Sequence, residues 1–123
     1  MEWNIEKNKP ICPQIYEFIC VEIASGEKGA GEQLYSVREL ALKIGVNPNT
    51  VQKAFEFLEK DGLIYSVVGS GRFVSENCEK AKEIVSDIAK EKTKLYISQM
   101  QKLGFSAEEI KAKLAKTFKT ESS

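Results

Sequence analysis

The chain contains no histidine, and in 123 residues it has only three cysteines, three prolines and one tryptophan. Without an imidazole, both the commonest general base and the commonest metal ligand are missing. Cys12, Cys20 and Cys78 are odd in number and lack CxxC spacing, so reduced, partly buried thiols are expected rather than a metal site or a disulfide framework. No apolar run approaches the roughly 20 residues needed to cross a bilayer. The opening MEWNIEKNKP also lacks the apolar centre of a signal peptide, so a cytoplasmic location without membrane contact is expected. Serine and cysteine stand without a motif partner, and the carboxylates fall on helix positions that face solvent. No enzyme, no metal and no cofactor are expected. Net charge is absent too, since 18 basic residues balance 18 acidic ones.

Charged residues at 29% and apolar ones at 42% are ordinary for a water-soluble chain, and the length fits one domain, or one small domain with an appendage. The strongest local signals fall in residues 36 to 57, SVRELALKIGVNPNTVQKAFEF. Ser36 followed by Glu39 is a capping box, in which the hydroxyl accepts an early backbone N–H and the carboxylate reaches back to the cap's own N–H. Val37, Leu40, Ala41 and Ile44 recur at helical spacing, and Gly45 stands where a left-handed residue ends a helix. A second helix follows at once, with Asn47 as its N-cap and Pro48 in the first turn, where a missing N–H is harmless. Val51, Ala54, Phe55 and Leu58 form its buried stripe. A rotation of about 100° per residue puts Asn49, Gln52, Lys53 and Glu56 on the opposite face.

Two short helices joined by a tight, glycine-containing turn match a helix-turn-helix, whose second helix enters the DNA major groove. The alternative is an ordinary helical hairpin. Beyond Asp61 and Gly62, LIYSVV, GSG and RFVS place β-branched and aromatic runs around a glycine-flanked turn, which predicts a β-hairpin. Helix-turn-helix plus hairpin is a winged helix. Asn47, Asn49, Thr50, Gln52 and Lys53 lie at or near the start of the reader helix, where bases and phosphates are met. Asn or Gln can pair with adenine and Lys with guanine. Gly69 and Gly71 permit a tight wing tip, and Arg72 is expected to reach the DNA backbone or minor groove. A solvated helix face is the competing reading of the polar row.

Before this stretch, Trp3 and Ile5 alternate with polar residues and suggest a short edge strand or a flap packed on the domain. Pro10 and Pro13 are expected to delay a helix until about Gln14, after which Ile15, Phe18, Ile19, Glu22 and Ile23 share a face covering the back of the helix pair. Gly26, Gly29 and Gly31 predict a turn-rich loop. No GK[ST] follows them, so they do not make a nucleotide site.

After Ser75 the pattern turns helical. Asn77 is a candidate cap for a long helix striped by Ala81, Ile84, Val85, Ile88 and Leu95, extending to Met100 and Leu103 and ended by Gly104. Ser106 with Glu109 is a second capping box, opening a helix with Ala107, Ile110, Leu114 and Phe118 on one face. A lone helical pair of this size cannot bury both stripes. The expected division is therefore a winged helix-turn-helix over residues 1–76 and an antiparallel two-helix dimerisation region over residues 77–123. Its contact residues are Ala81, Ile84, Val85, Ile88, Leu95, Ile110, Leu114 and Phe118. The competing reading packs these stripes back onto the chain's own first domain.

Gly31-Glu32-Gln33-Leu34, residues 36–41, residues 45–51, residues 58–64, and Gly69, Gly71, Phe73 and Val74 together resemble the DNA-binding domain of the GntR family of bacterial transcription regulators. The opening Trp3-Asn4-Ile5, followed by Pro10-Ile11, and the short tail resemble its YtrA subfamily. The resemblance implies that Ser36 and Arg38, at the start of the first helix of the pair, touch DNA, with Arg38 able to reach base edges; its planar fork suits phosphate or guanine. An ion pair with a nearby carboxylate is the competing role for Arg38. The sequence departs from the family pattern at Cys12, where Tyr is usual, and at Ala30 and Tyr35, where Pro is usual. The latter pair is expected to loosen the approach to Ser36. Gln52 and Lys53 stand near positions that more often hold Arg, which implies a different base preference. Val67 and Val68 replace basic residues in the wing.

Residues 1–76 carry 8 basic and 11 acidic side chains, so any attraction to phosphate depends on where Arg38, Lys43, Lys53 and Arg72 gather rather than on total charge. The expectation is a homodimeric regulator, most simply a repressor, that binds double-stranded DNA at an inverted-repeat operator. A small-molecule effector has room only between protomers. The alternative is a winged-helix protein-interaction module that does not bind DNA. The polar row on the reader helix speaks against it, since such a module would show an apolar patch there.

Overall fold

A computed structural model describes residues 2–121. Helix α1 (Ile11–Ala24) begins earlier than expected from its prolines. Pro10 is its N-cap and Pro13 falls in the first turn, where no carbonyl waits for the absent N–H. Ile15, Ile19, Cys20 and Ile23 are buried along one side. Trp3 belongs to no strand; its ring stacks on Phe18 of α1 at 3.7 Å between centroids, so the flap is the form adopted.

Helices α2 (Val37–Ile44) and α3 (Pro48–Lys60) meet at Gly45, which caps α2 in the left-handed conformation at φ 69°. Strands β1 (Ile64–Val67) and β2 (Gly71–Val74) form an antiparallel hairpin in the register Ile64 opposite Val74 and Val67 opposite Gly71. The loop before α2 adds to this sheet in a way the glycine pattern does not predict. Gly31 and Leu34 donate to the carbonyls of Val74 and Arg72, Val74 donates back to Glu32, each at 2.8 Å, and Gln33 bridges Phe73. The wing is thereby fastened along both edges of β2.

Phe55, Leu58 and Val51 of α3 are fully buried with Ile15 and Ile19 of α1, Leu40 of α2 and Val74 of β2. Each such side chain contributes about 1.5–3 kcal/mol from apolar burial. Helix α3 is thus the hub, and its polar row is what remains outside.

Helix α4 (Glu79–Lys102) is preceded by Asn77, whose side chain accepts the Glu79 N–H at 3.1 Å, and α5 (Ala107–Glu121) follows the turn at Gly104. The chain divides into two compact units, Met1–Ser86 and Asp87–Ser123, so α4 begins inside the winged unit and leaves it. Ala81 has no exposed surface and lies in the winged unit's core, with Ile84 and Val85 packed against that core. Their expected place on a dimer surface is corrected to this extent: the first turns of α4 cover the chain's own first unit. Ile88 is half-buried, Leu95, Leu114 and Phe118 are exposed, and Ile110 is buried.

Candidate nucleic-acid interface

The start of α2 is set by Ser36, whose hydroxyl accepts the Glu39 N–H at 3.1 Å. Among the described residues the Glu39 carboxylate does not return the bond, so only half of that capping box forms. The second box, at α5, closes both ways: Glu109 N–H donates to Ser106 Oγ at 3.2 Å and Ser106 N–H to the Glu109 carboxylate at 3.0 Å. The Ser106 N–H bond, then the Ser106 hydroxyl beside it, hold the Glu109 carboxyl below its ordinary range. One helical position beyond Val37, Arg38 is exposed and forms no ion pair among the described residues, which leaves its competing structural role without support.

At the start of α3, the Asn47 side chain accepts the Asn49 N–H at 2.8 Å, so its oxygen is occupied in capping. Asn49 and Lys53 are exposed, and neither side chain forms a hydrogen bond or ion pair among the described residues. Thr50 and Gln52 are half-buried, and Gln52 reaches Glu56 at 3.4 Å, a long hydrogen bond at the limit of contact. Arg38, Asn49 and Lys53 are the uncommitted members of the row.

In the wing, Arg72 is engaged with the reader helix. Its Nε donates to Glu59 of α3 at 2.8 Å, and its guanidinium lies over the Phe55 ring at 5.3 Å. Ser66 of β1 donates to the same carboxylate. The Ser66 bond, then the Arg72 bond and charge, hold the Glu59 carboxyl below its ordinary range against partial desolvation. Arg72 is therefore a brace between wing and reader helix. Its charge is balanced on the spot, because the β2 register turns it toward α3.

At the wing tip, Gly71 has φ 114°, and a side chain there would press to 2.9 Å of Gln33 Nε2. That nitrogen donates to the Ser70 carbonyl at 2.8 Å and ties the loop before α2 to the tip. Gly69, at φ 79°, completes a turn that leaves Val68 fully exposed and Val67 partly so. A cleft of about 530 Å³ runs between the start of α2 and the wing, lined among others by Lys28, Gln33, Ser36, Glu39, Gly71 and Arg72. Gln33 was not singled out by sequence reasoning, since its partner lies 37 positions away and no local pattern announces the pairing.

Tyr35, expected to loosen the approach to Ser36, does the opposite. Its hydroxyl donates to the buried Glu22 carboxylate at 2.6 Å, and its ring meets Trp3 edge-on at 5.9 Å and Lys28 at 4.5 Å. Burial raises the Glu22 carboxyl above its ordinary range, and the Tyr35 bond opposes the rise.

This geometry has counterparts. The model of the family described as bacterial regulatory proteins, gntR family, matches residues 13–74. The chain belongs to this family. It is 33% identical over 110 residues to the Bacillus subtilis uncharacterized HTH-type transcriptional regulator YhcF, across 89% of this chain and 91% of that protein. With the Bacillus subtilis HTH-type transcriptional repressor YtrA it shares 43% identity over 70 residues, 57% of this chain and 54% of YtrA. A solved GntR family regulator from Listeria monocytogenes superposes with TM-score 0.79 at 43% identity, covering 91% of this chain and 98% of that one. The DNA-binding domain of AraR, solved in complex with operator ORX1, matches at TM-score 0.53 and 30% identity over 61% of this chain and 92% of that one. The protein is a DNA-binding transcriptional regulator of the small YtrA type, with a winged helix-turn-helix followed by two helices, and its family is one of regulators rather than enzymes. Among the described residues no helix is long and apolar enough to cross a membrane.

Proposed function

We propose that this regulator is a repressor that binds an inverted-repeat operator as a homodimer, with Ser36, Arg38, Asn49, Thr50, Gln52 and Lys53 facing DNA and the glycines of the wing tip, Gly69 and Gly71, allowing close approach to the backbone. The observation that carries the reading is that Arg38, Asn49 and Lys53 are exposed, polar and uncommitted, beside two helix starts whose backbone N–H groups favour phosphate. YtrA is described as a repressor and AraR's domain as bound to an operator, which supports the same mode here. The helices beyond the wing supply the twofold contact, because Leu95, Leu114 and Phe118 are exposed and paired half-sites call for paired readers. A small-molecule effector would act between protomers by changing the spacing of the two readers.

Selection of bound sequences from random duplex DNA, at fixed low salt, tests this directly. The expected product is a twofold-symmetric repeat. Arg38→Ala and Lys53→Ala are each expected to weaken binding to it by about 1–3 kcal/mol, relaxing specificity where the side chain meets a base. A pool that enriches no sequence, or only single unpaired sites, overturns the proposal.

A further inference from the structure

The segment before α1 is tied to both ends of α2, the helix that carries Arg38. At the front end, Trp3 stacks on Phe18 of α1 and meets Tyr35 edge-on. Tyr35, bonded at 2.6 Å to Glu22 of α1, is the residue immediately before the Ser36 cap. At the far end, the Lys7 ammonium donates to the carbonyls of Ile44 at 2.8 Å and Gly45 at 2.6 Å. These lie at the C-terminal end of α2, where unpaired carbonyls attract a cation and where the turn into α3 begins. Between the two ties, Gln14 of α1 holds the segment down: its carbonyl accepts the Glu6 N–H at 2.8 Å and its amide donates to the carbonyls of Glu6 at 3.0 Å and Pro10 at 2.9 Å.

We propose that residues 3–7 act as a strap that clasps α2 at both ends and positions the reader pair for DNA, with Lys7 and Tyr35 as positioning residues that do not themselves touch the duplex. The inference rests on the DNA-reading function. Ser36 and Arg38 stand just after one tie, and Asn49 and Lys53 just after the other. The angle of α3 to α2 depends on the turn at Gly45, and the Lys7 bonds hold the two carbonyls where that turn begins. Groups that read base edges lose selectivity when displaced by a fraction of an ångström, so a supporting layer that locks them acts on specificity more than on the fold. Lys7 is exposed, which makes it removable without opening the core.

The test uses the full chain and the duplex most enriched from the random pool, with a scrambled duplex beside it, titrated at several salt concentrations. Lys7→Met and Tyr35→Phe are each expected to weaken binding to the selected duplex by about tenfold, the worth of one hydrogen bond involving a charged group. Binding to the scrambled duplex should stay unchanged, as should the slope of log affinity against log salt. Glu22→Gln keeps an acceptor for Tyr35 and should remain within about twofold of the parent. Faster amide exchange at Gly45 and Val46 in Lys7→Met supports the clasp independently. If Lys7→Met lowers the salt slope by about one, Lys7 holds a phosphate itself and the strap is refuted. Equal losses on both duplexes refute it as well, since they report only a damaged fold. If the strap variants bind like the parent while Arg38→Ala does not, the strap falls and the reading face stands. If Arg38→Ala is also silent, the assigned face falls and the strap with it.

Discussion

Of the buried apolar side chains among the described residues, all but Ile110 lie in the winged unit, whereas Leu95, Ile97, Leu103, Leu114 and Phe118 of the second unit lie exposed. The two regions have similar helical patterning but opposite outcomes. In the first, α1, α2, α3 and the hairpin approach one another from several directions, so the main apolar stripes find cover, and α3 leaves outside its polar row together with Phe57. In the second, two helices alone offer too little surface to enclose each other's stripes. Apolar periodicity therefore reports that a face seeks cover, and the number of neighbouring elements decides whether the chain supplies it.

The contrast can be broken most forcefully at its enclosed end. Phe55→Ala removes a fully buried ring from the hub helix and is expected to lower stability by about 3–5 kcal/mol in urea titration; a loss under about 1 kcal/mol would mean the core is not organised around α3. At the exposed end, Leu114→Asp with Phe118→Asp is expected to leave the winged unit folded by circular dichroism and to convert a dimer to a monomer in sedimentation. Affinity for a paired site should then fall by about a hundredfold, with single half-site binding retained. A variant that still sediments as a dimer would remove these helices from the proposed contact.

A smaller effect is expected where the wing meets the reader. Arg72→Gln breaks the bond to Glu59 and should cost about 1 kcal/mol or less, since the pair is partly open to solvent. Its signature is faster amide exchange in β2 with α1 unaffected. The smallest effect is one of pH. Burial raises the Glu22 carboxyl in the folded protein, so between the ordinary carboxylate range and that raised value the folded state holds more protons than the unfolded one. The associated stability is full below the unfolded value and is lost as pH rises through the folded one. Glu22→Gln, compared with the parent by urea titration from acidic to neutral pH, should lack this decline; parallel curves would show that Glu22 does not titrate abnormally.

The legible parts of the fold were those governed by neighbours in sequence. The Ser36 cap, the left-handed Gly45, the Asn47 cap with Pro48 behind it, and the closed box at Ser106 and Glu109 each depend on side chains a few positions apart. The polar row was legible for the same reason, because helical rotation alone separates Asn49 and Lys53 from Val51, Ala54 and Phe55. Reading Pro13 as a barrier was too strict, since a helix's first turn tolerates the missing N–H. The packing of Arg72, Tyr35 and Ala81 was the least legible. Each has its main contact on an element distant in sequence: Glu59, Glu22, and the core of the first unit.

The order of residues thus determined where helices start and stop, which faces are apolar, and that a polar row would stand on the second helix of the pair. Only the tertiary structure decided which of the charged groups remain available, that the loop before α2 is hydrogen-bonded to the free edge of β2, and that Lys7 reaches the end of α2. The reason is one of range: caps and periodicity are set within a turn or two of chain, whereas the partner of a long side chain is chosen by whichever distant backbone or carboxylate packing brings within about 3 Å.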